Sequence, residues 1–290
     1  MKILVDLKSL ENIESYQTDG FIVSSEKYSC YNDYCFSWSA IEAIANYCHQ
    51  KNILFIINID RIIEEEELDS LYQYLDQCLM IGVDYFIYSD YAILNYFKKK
   101  NLTHKLIYDA KTMITNSQDA LIHKNLNSLV VINNELNLEE LAEVVKVGNG
   151  VLEVYGYHQM FYSKRSLLST YSAFQAEGRV LDNKKLLIKE ELRDDLYPIY
   201  QSPHGTYIYT PYIFGIFKEL LMLKDDLKMI RINSMFIEEN KVIQILNIYQ
   251  QLINGESDIN LLYKELEAIN PNIKPGLLYH QSILVKETEQ

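Results

Sequence analysis

The strongest constraint in this chain is a recurring pattern of short apolar runs, each too short for a buried helix and most followed by an amphipathic stretch. The runs fall at residues 2–7, 20–25, 53–59, 85–89, 105–109, 128–133, 151–155 and 228–233. Most are continuous Ile, Val, Leu, Phe or Tyr without polar alternation, which is how a strand reads when both of its faces are buried in a parallel sheet. Between them, segments 37–49, 64–80, 91–100, 116–124 and 138–147 are amphipathic. Ser37 and Asn137 stand where N-caps belong, and Glu139 and Glu140 follow in a first turn where carboxylates suit the helix dipole. Eight strands with interleaved helices predict an α/β protein, a (β/α)8 barrel of TIM type, with an open doubly wound sheet as the alternative. The first connection, 8–19, has room only for a short helix.

The regular spacing stops after Tyr171. From 178 to 210 the chain is charged and turn-rich, and 184–188 and 206–210 read as antiparallel strands around a turn at Ser202-Pro203-His204-Gly205. This predicts a β-rich insertion between barrel strands 7 and 8. Segment 211–223 reads as helix, and 238–253 as a long amphipathic helix ending near Gly255. A C-terminal extension, 256–290, adds a helix at 259–268 and a strand-like run at 276–285. With 290 residues and no Pro- or Ser-rich linker, one domain accounts for the whole chain.

Composition removes several classes of function. A formal charge of −13 argues against a broad phosphate-binding surface, so any nucleic-acid role needs a local patch or a partner. The apolar runs are too short to span a bilayer and Asp6 interrupts the N-terminal one where a signal peptide stays apolar, which points to the cytoplasm. Cys30, Cys35, Cys48 and Cys78 form no Cys-x-x-Cys pair and no zinc spacing, and read as buried reduced thiols. No metal site is expected. There is no Gly-x-Gly-x-x-Gly after a strand, no Walker lysine loop and no Gly-x-Ser-x-Gly elbow.

In a barrel of this kind, chemistry sits at the C-terminal ends of the strands. Asp6, Ser24, Asn58, Asp60, Ser89 and Asp90 fall there in the first half of the chain, and Asp109, Asn133, Glu135, Tyr157, His158, Arg231 and Asn233 in the second. Each can bind a polar ligand or simply cap the next helix. The densest polar segment follows Gly156, where His158 stands with Tyr162, Lys164 and Arg165. His158 suits proton transfer or plain packing, and the Lys164-Arg165 pair suits a phosphate, a carboxylate or solvent. The 24 tyrosines gather around this segment and the insertion, which favours a binding surface, with core filling as the rival use.

Leu-Glu-Val-Tyr at 152–155 and Tyr-Ser-Lys-Arg-Ser-Leu-Leu-Ser-Thr-Tyr at 162–171 resemble the Glu-Val-Phe strand and Tyr-Ser-Gly-Arg-Cys-Leu-Leu-Ser-Asn-Tyr signature of the bacterial collagenase-like peptidase family, U32. Tyr-Pro-Ile at 197–199 with His-Gly-Thr-Tyr-Ile at 204–208 is similar to that family's insertion. Residues 112–116 and the stretch from Asn134 to Glu140 resemble its fifth and sixth unit motifs. Two features depart from it. Family members carry cysteines for an iron-sulfur cluster, whereas Ser166 takes one such position and 156–212 contains no cysteine, so no cofactor is expected. The strand-eight motif is degenerate, as Ile-Arg-Ile-Asn at 230–233.

This combination resembles the short, cysteine-poor branch of the family. The resemblance implies a part in 5-hydroxylation of the tRNA wobble uridine, with tRNA and a cysteine-bearing paralogue as partners and no membrane. A collagenase-like protease and a non-catalytic binding scaffold are the alternatives. On the leading reading Glu135, His158, Tyr162 and His204 are catalytic candidates. Asp109, Asn133, Tyr157, Ser163, Lys164, Arg165 and Arg231 are the substrate-binding candidates.

Overall fold

A computed structural model of the chain describes residues 1–29, 34–175 and 184–281. In chain order the first strands and helices alternate: β1 (Lys2–Asp6), β2 (Gly20–Ser24), α1 (Trp38–Lys51), β3 (Leu54–Ile59), α2 (Leu68–Met80), β4 (Tyr85–Tyr88) and α3 (Tyr91–Lys99). Then come β5 (Leu106–Tyr108), α4 (Ser117–Asn125), β6 (Leu129–Val131), α5 (Leu138–Val145) and β7 (Gly150–Gly156). Next are β8 (Gln159–Ser163), α6 (Leu167–Phe174), β9 (Lys184–Lys189), β10 (Leu196–Ser202), β11 (Gly205–Tyr209) and β12 (Ile213–Gly215). The chain ends with α7 (Leu220–Leu223), β13 (Met229–Ile232), α8 (Glu239–Asn254), α9 (Ile259–Ile269) and β14 (Ile273–Lys274).

β1 to β7 pair in sequence order, all parallel, and β13 pairs with both β1 and β7. That last pairing closes the sheet into an eight-stranded (β/α)8 barrel and rules out the open sheet. Closure also explains the unalternated strands. Leu4, Ile22, Ile56, Ile87, Ile107, Val151 and Met229 form one apolar cluster inside the ring, joined by Leu129 and Val131 of β6. Their neighbours along each strand, such as Val5, Val23, Ile57 and Phe86, point outward into a second core against Ile44, Leu75, Phe97 and Val242 of the helices. Each fully buried side chain of this kind contributes about 1.5–3 kcal/mol, so both faces must stay apolar.

The helix starts follow their caps. Ser37 accepts a hydrogen bond from the Ala40 amide, and Asn137 and Glu140 form a reciprocal capping box. The connection 8–19 holds a single 3-10 turn, Ile13–Ser15. The long helix α8 stops at Gly255, which takes the left-handed conformation with φ 69°. Among the described residues, no helix is long and apolar enough to cross a membrane.

β8, β11, β10 and β9 form a separate four-stranded antiparallel sheet in that order. The sheet therefore begins at Gln159, upstream of the turn-rich segment. Segment 211–223 is not one helix. Ile213–Gly215 pairs antiparallel with the last residues of β7, and only Leu220–Leu223 is helical. On the side where β6 pairing stops at Val151, the backbone groups of Tyr155 and Gly156 take β12 as their partner, which outweighs the helical preference of the segment. The run at 276–285 is also not a strand where it is described: residues 276–281 form turns and 282–285 lie outside the described residues.

Gly156 is the joint between the barrel and everything beyond it. Its φ is +144°, and a Cβ there would lie 2.6 Å from Cβ and 3.0 Å from the carbonyl oxygen of Asn233. Gly156→Ala is expected to cost more than about 2 kcal/mol of unfolding free energy, from strain plus the clash. Gly255→Ala, which meets nothing within 4 Å, should cost only about 1–2 kcal/mol from its φ. Urea midpoints at constant m-value would separate the two, and equal losses would show that Asn233 does not constrain the joint.

Candidate functional site

Two residues beyond the apolar layer, every barrel strand or its exit places a polar residue: Asp6, Ser24, Asn58, Ser89, Asp109, Asn133, Glu153 and Arg231. Side chains alternate along a strand, so this set forms the next interior layer, at the C-terminal end of the ring. Arg231 ties it together. Its guanidinium donates twice to Asp6, with Nη2 to Oδ1 at 2.7 Å and Nε to Oδ2 at 3.1 Å. It also lies 3.6 Å from Asp109 and 3.9 Å from Glu153. Lys111, held at φ 64° on the loop after β5, contacts the same oxygen of Asp109, Oδ2, at 2.5 Å.

These contacts drive the two deepest carboxyls apart. Burial would raise both, but Lys111 and Arg231 hold Asp109 below the usual carboxylate range. For Glu153 burial wins over Arg231 and Lys111, and its pKa rises to about 7. Asn233 Nδ2 donates to both Glu153 oxygens, at 3.3 and 3.2 Å.

His158 closes over this carboxyl from the chain just past Gly156. Its Nε2 lies 3.3 Å from Glu153 Oε1 and 2.8 Å from the amide nitrogen of Asn134. Burial, with Lys111 nearby, pushes the ring down to about 3. The imidazole is therefore neutral and the contact with Glu153 is not an ion pair. With Asn134 donating, Nε2 is the acceptor. Phe214 packs on the ring at 4.1 Å between centroids, and the His158 backbone exchanges hydrogen bonds with Thr210. A carboxyl that changes protonation near neutrality beside a neutral imidazole is a pair suited to moving a proton.

The pair opens into a cavity of about 250 Å³. Asp109, Asn133, Glu153 and Asn233 line its floor side, and Tyr157, Tyr209, Tyr212 and Phe214 line its walls. Of the sequence-predicted residues, Asp109, Asn133, Glu135, Tyr157 and His158 meet here, with Arg231 beneath them.

Tyr162, Ser163, Lys164, Arg165 and His204 do not line it. Strand β8 carries the first four into or just past the antiparallel sheet, and His204 lies in the turn between β10 and β11 of the same sheet. There the Tyr162 hydroxyl donates to the His204 carbonyl at 3.4 Å, its ring stacks on Tyr207, and the Ser163 hydroxyl accepts from the Arg165 amide. Lys164 pairs at 2.5 Å with Glu64, on the loop after β3, and His204 lies within electrostatic reach of Arg61 and Glu67 on the same loop. Glu135, on the loop after β6, thus shares one end of the barrel with Tyr162 and His204 but not one site.

Glu153, Lys111, Asn134 and Gln159 are cavity residues that strand-end reasoning passes over. The available signal for Glu153 is a carboxylate inside the apolar run Val-Leu-Glu-Val-Tyr, where a buried charge demands partners.

The cysteines present do not fit a thiolate-ligated cluster. Cys48 and Cys78 are fully buried in the helices around the barrel, and burial pushes both thiols up to about 12. Burial raises Cys35 to about 11, and Cys30 lies outside the described residues. Among the described residues, no three of His, Cys, Asp and Glu gather in a way that could hold a metal ion.

The sequence profile of peptidase family U32 matches residues 6–282. The tRNA hydroxylation protein P2 of Bacillus subtilis (strain 168) is 24% identical over 282 residues, covering 91% of each chain. A solved U32 peptidase structure superposes with a TM-score of 0.53 over 80% of this chain and 92% of that one. At 11% identity, that likeness speaks for the fold.

The two shifted groups give opposite pH dependences. Glu153 moves from 4.5 up to about 7, so the stability associated with its proton is full below the unfolded value and is lost as pH rises through about 7. His158 moves from 6.5 down to about 3, so its contribution is present above the unfolded value and is lost as pH falls toward about 3. Relative to wild type, Glu153→Gln should therefore gain stability between about pH 5 and pH 8, on the order of 3 kcal/mol. His158→Gln should lose ground between about pH 4 and pH 7. Urea unfolding across that range measures both, and a pH-independent Glu153→Gln difference would contradict the assignment.

Proposed function

The chain belongs to peptidase family U32, and we propose that it takes part in the hydroxylation of tRNA, at C5 of the wobble uridine, in the cytoplasm and together with a cysteine-bearing paralogue. The observation that carries this reading is the cavity itself: a proton-transfer pair, Glu153 and His158, beneath aromatic walls at the C-terminal face of the barrel. Aromatic rings offer stacking to an unpaired base, and a base must leave its stack for chemistry on the ring.

Local charge supports the same reading despite the acidic total. Lys185 lies over Tyr157, with Nζ 5.6 Å from the ring centroid, and Lys274 over Tyr212 at 5.4 Å. Both tyrosines line the cavity, so two exposed ammonium groups flank its mouth where a phosphate backbone would pass.

Replacing C5–H by C5–OH is a two-electron oxidation, and the side chains of this cavity supply acid-base chemistry, with no thiolate set for an iron-sulfur cluster. On this reading the present chain holds the base and manages protons, and the paralogue completes the reaction centre with a two-electron oxidant and an oxygen source from outside this cavity. Phe161 of β8 and Leu186 of β9 are exposed on one face of the antiparallel sheet, apolar groups of the kind that associating proteins cover.

The peptidase reading finds less support. Among the described residues, no serine or cysteine lines the cavity, and its threonine, Thr210, is bonded through its hydroxyl to the Tyr212 carbonyl and the His158 backbone.

Mass spectrometry of tRNA from a deletion strain tests the proposal. Loss of 5-hydroxyuridine-derived nucleosides is expected, with recovery on wild-type complementation and at least a tenfold lower recovery with His158→Gln. Unchanged nucleosides in the deletion strain would remove it. Reversing Lys185 and Lys274 to Glu should weaken tRNA binding and reduce its salt slope by about 2.

A further inference from the structure

Among the described residues, two amide oxygens at the cavity are buried and lack a hydrogen-bond donor: Oδ1 of Asn134 and Oε1 of Gln159. The Asn134 amide is held in one orientation. The nitrogen of the Asn134 amide donates to Nε2 of His158, which turns its oxygen to the other side of the group. Gln159 begins β8, and the pairing of that strand with Tyr209 fixes the backbone from which its side chain projects. Buried carbonyl oxygens are rarely left unpaired, because they lose their water without replacement. Two of them on one cavity therefore favour a ligand that brings two donors.

The neighbouring groups narrow what those donors belong to. Asn134 touches His158, which touches Glu153, so it lies beside the proton-transfer pair. Gln159 is followed by the exposed Met160 and stands nearer the mouth. Between them run the aromatic walls, which suit a flat ring.

Building on the tRNA reading, we infer that Asn134 accepts the ring N3–H of a uracil and Gln159 accepts a ribose hydroxyl, making the two amides the specificity determinants of the cavity. Uracil carries a donor at N3 between two acceptor carbonyls, whereas neutral cytosine presents an acceptor there. The ribose 2′-hydroxyl supplies the second donor and separates RNA from DNA. A site built around a ligand N–H rejects analogues without it far more strongly than a merely apolar slot does.

Saturation-transfer NMR titrations of the full-length protein with uridine, 3-methyluridine, cytidine and 2′-deoxyuridine test this. The methyl group of 3-methyluridine removes the ring donor and keeps the ribose and both carbonyls. Wild type is expected to bind uridine at least about tenfold more tightly than 3-methyluridine or cytidine, with a smaller loss for 2′-deoxyuridine. Asn134→Ala should bind uridine and 3-methyluridine alike. Gln159→Met, on a half-exposed strand position that leaves the barrel untouched, should lose only the 2′-deoxy preference. Equal wild-type affinities for uridine and 3-methyluridine, discrimination that survives Asn134→Ala, or no saturable uridine binding would each overturn the inference. Failure of the tRNA reading looks different: modification would persist in the deletion strain while nucleoside discrimination stayed intact.

Discussion

A guanidinium at the upper end of a closed barrel shapes nearly everything described above. Arg231 is buried, bonded twice to Asp6 and close to Asp109 and Glu153, so it bridges strands β1, β5 and β7 from β13. Three carboxyl groups within one ring interior would be unaffordable without a cation among them, since removing one partner of a buried charge group leaves the rest uncompensated. The same cation divides its attention unequally. Asp6 takes the two short hydrogen bonds, Asp109 has Lys111 as well, and Glu153 is left with a contact of 3.9 Å. Burial therefore decides the protonation of Glu153 and fails to decide that of Asp109. One polar layer thus produces a fixed anion and a carboxyl poised near neutrality, the separation that acid-base chemistry requires.

The rest of the cavity is assembled from pieces remote in sequence. Gly156 lets the chain turn beside Asn233, which brings His158 over Glu153. The pairing of β12 with the end of β7 delivers Phe214 to the imidazole, and Gly276 and Leu277 of the C-terminal turn complete the wall. Desolvation by these apolar neighbours is also what keeps the ring neutral. The protonation states at this site therefore depend on packing as much as on the titrating groups themselves.

Much of this was legible in the chain, and the exceptions have physical causes. Asp109, Asn133, Glu135, Tyr157 and His158 end or follow apolar runs, and parallel strands in a barrel all finish on one face, so position along the sequence predicts their company. Glu153 escaped because it sits inside a run, two residues beyond Val151 on the interior face. Nearness in sequence or motif groups Tyr162 and His204 with His158. An extended strand advances about 3.3 Å per residue, however, and β8 carries Tyr162 out of the cavity within four residues. The helix expected at 211–223 gave way to β12 because unpaired backbone at the end of β7 is worth more than local propensity.

Periodicity along the chain determined the strands, the caps and the (β/α)8 class, because those depend on near neighbours and on burial repeated at regular intervals. It also placed the polar residues of the cavity at the strand ends. The tertiary structure alone decided which carboxyl titrates near neutrality, that His158 is neutral, and that two amide oxygens lack donors. Those properties arise from distance and desolvation among β1, β5, β7, β13 and the turns that cover them, and no local stretch of sequence carries either quantity.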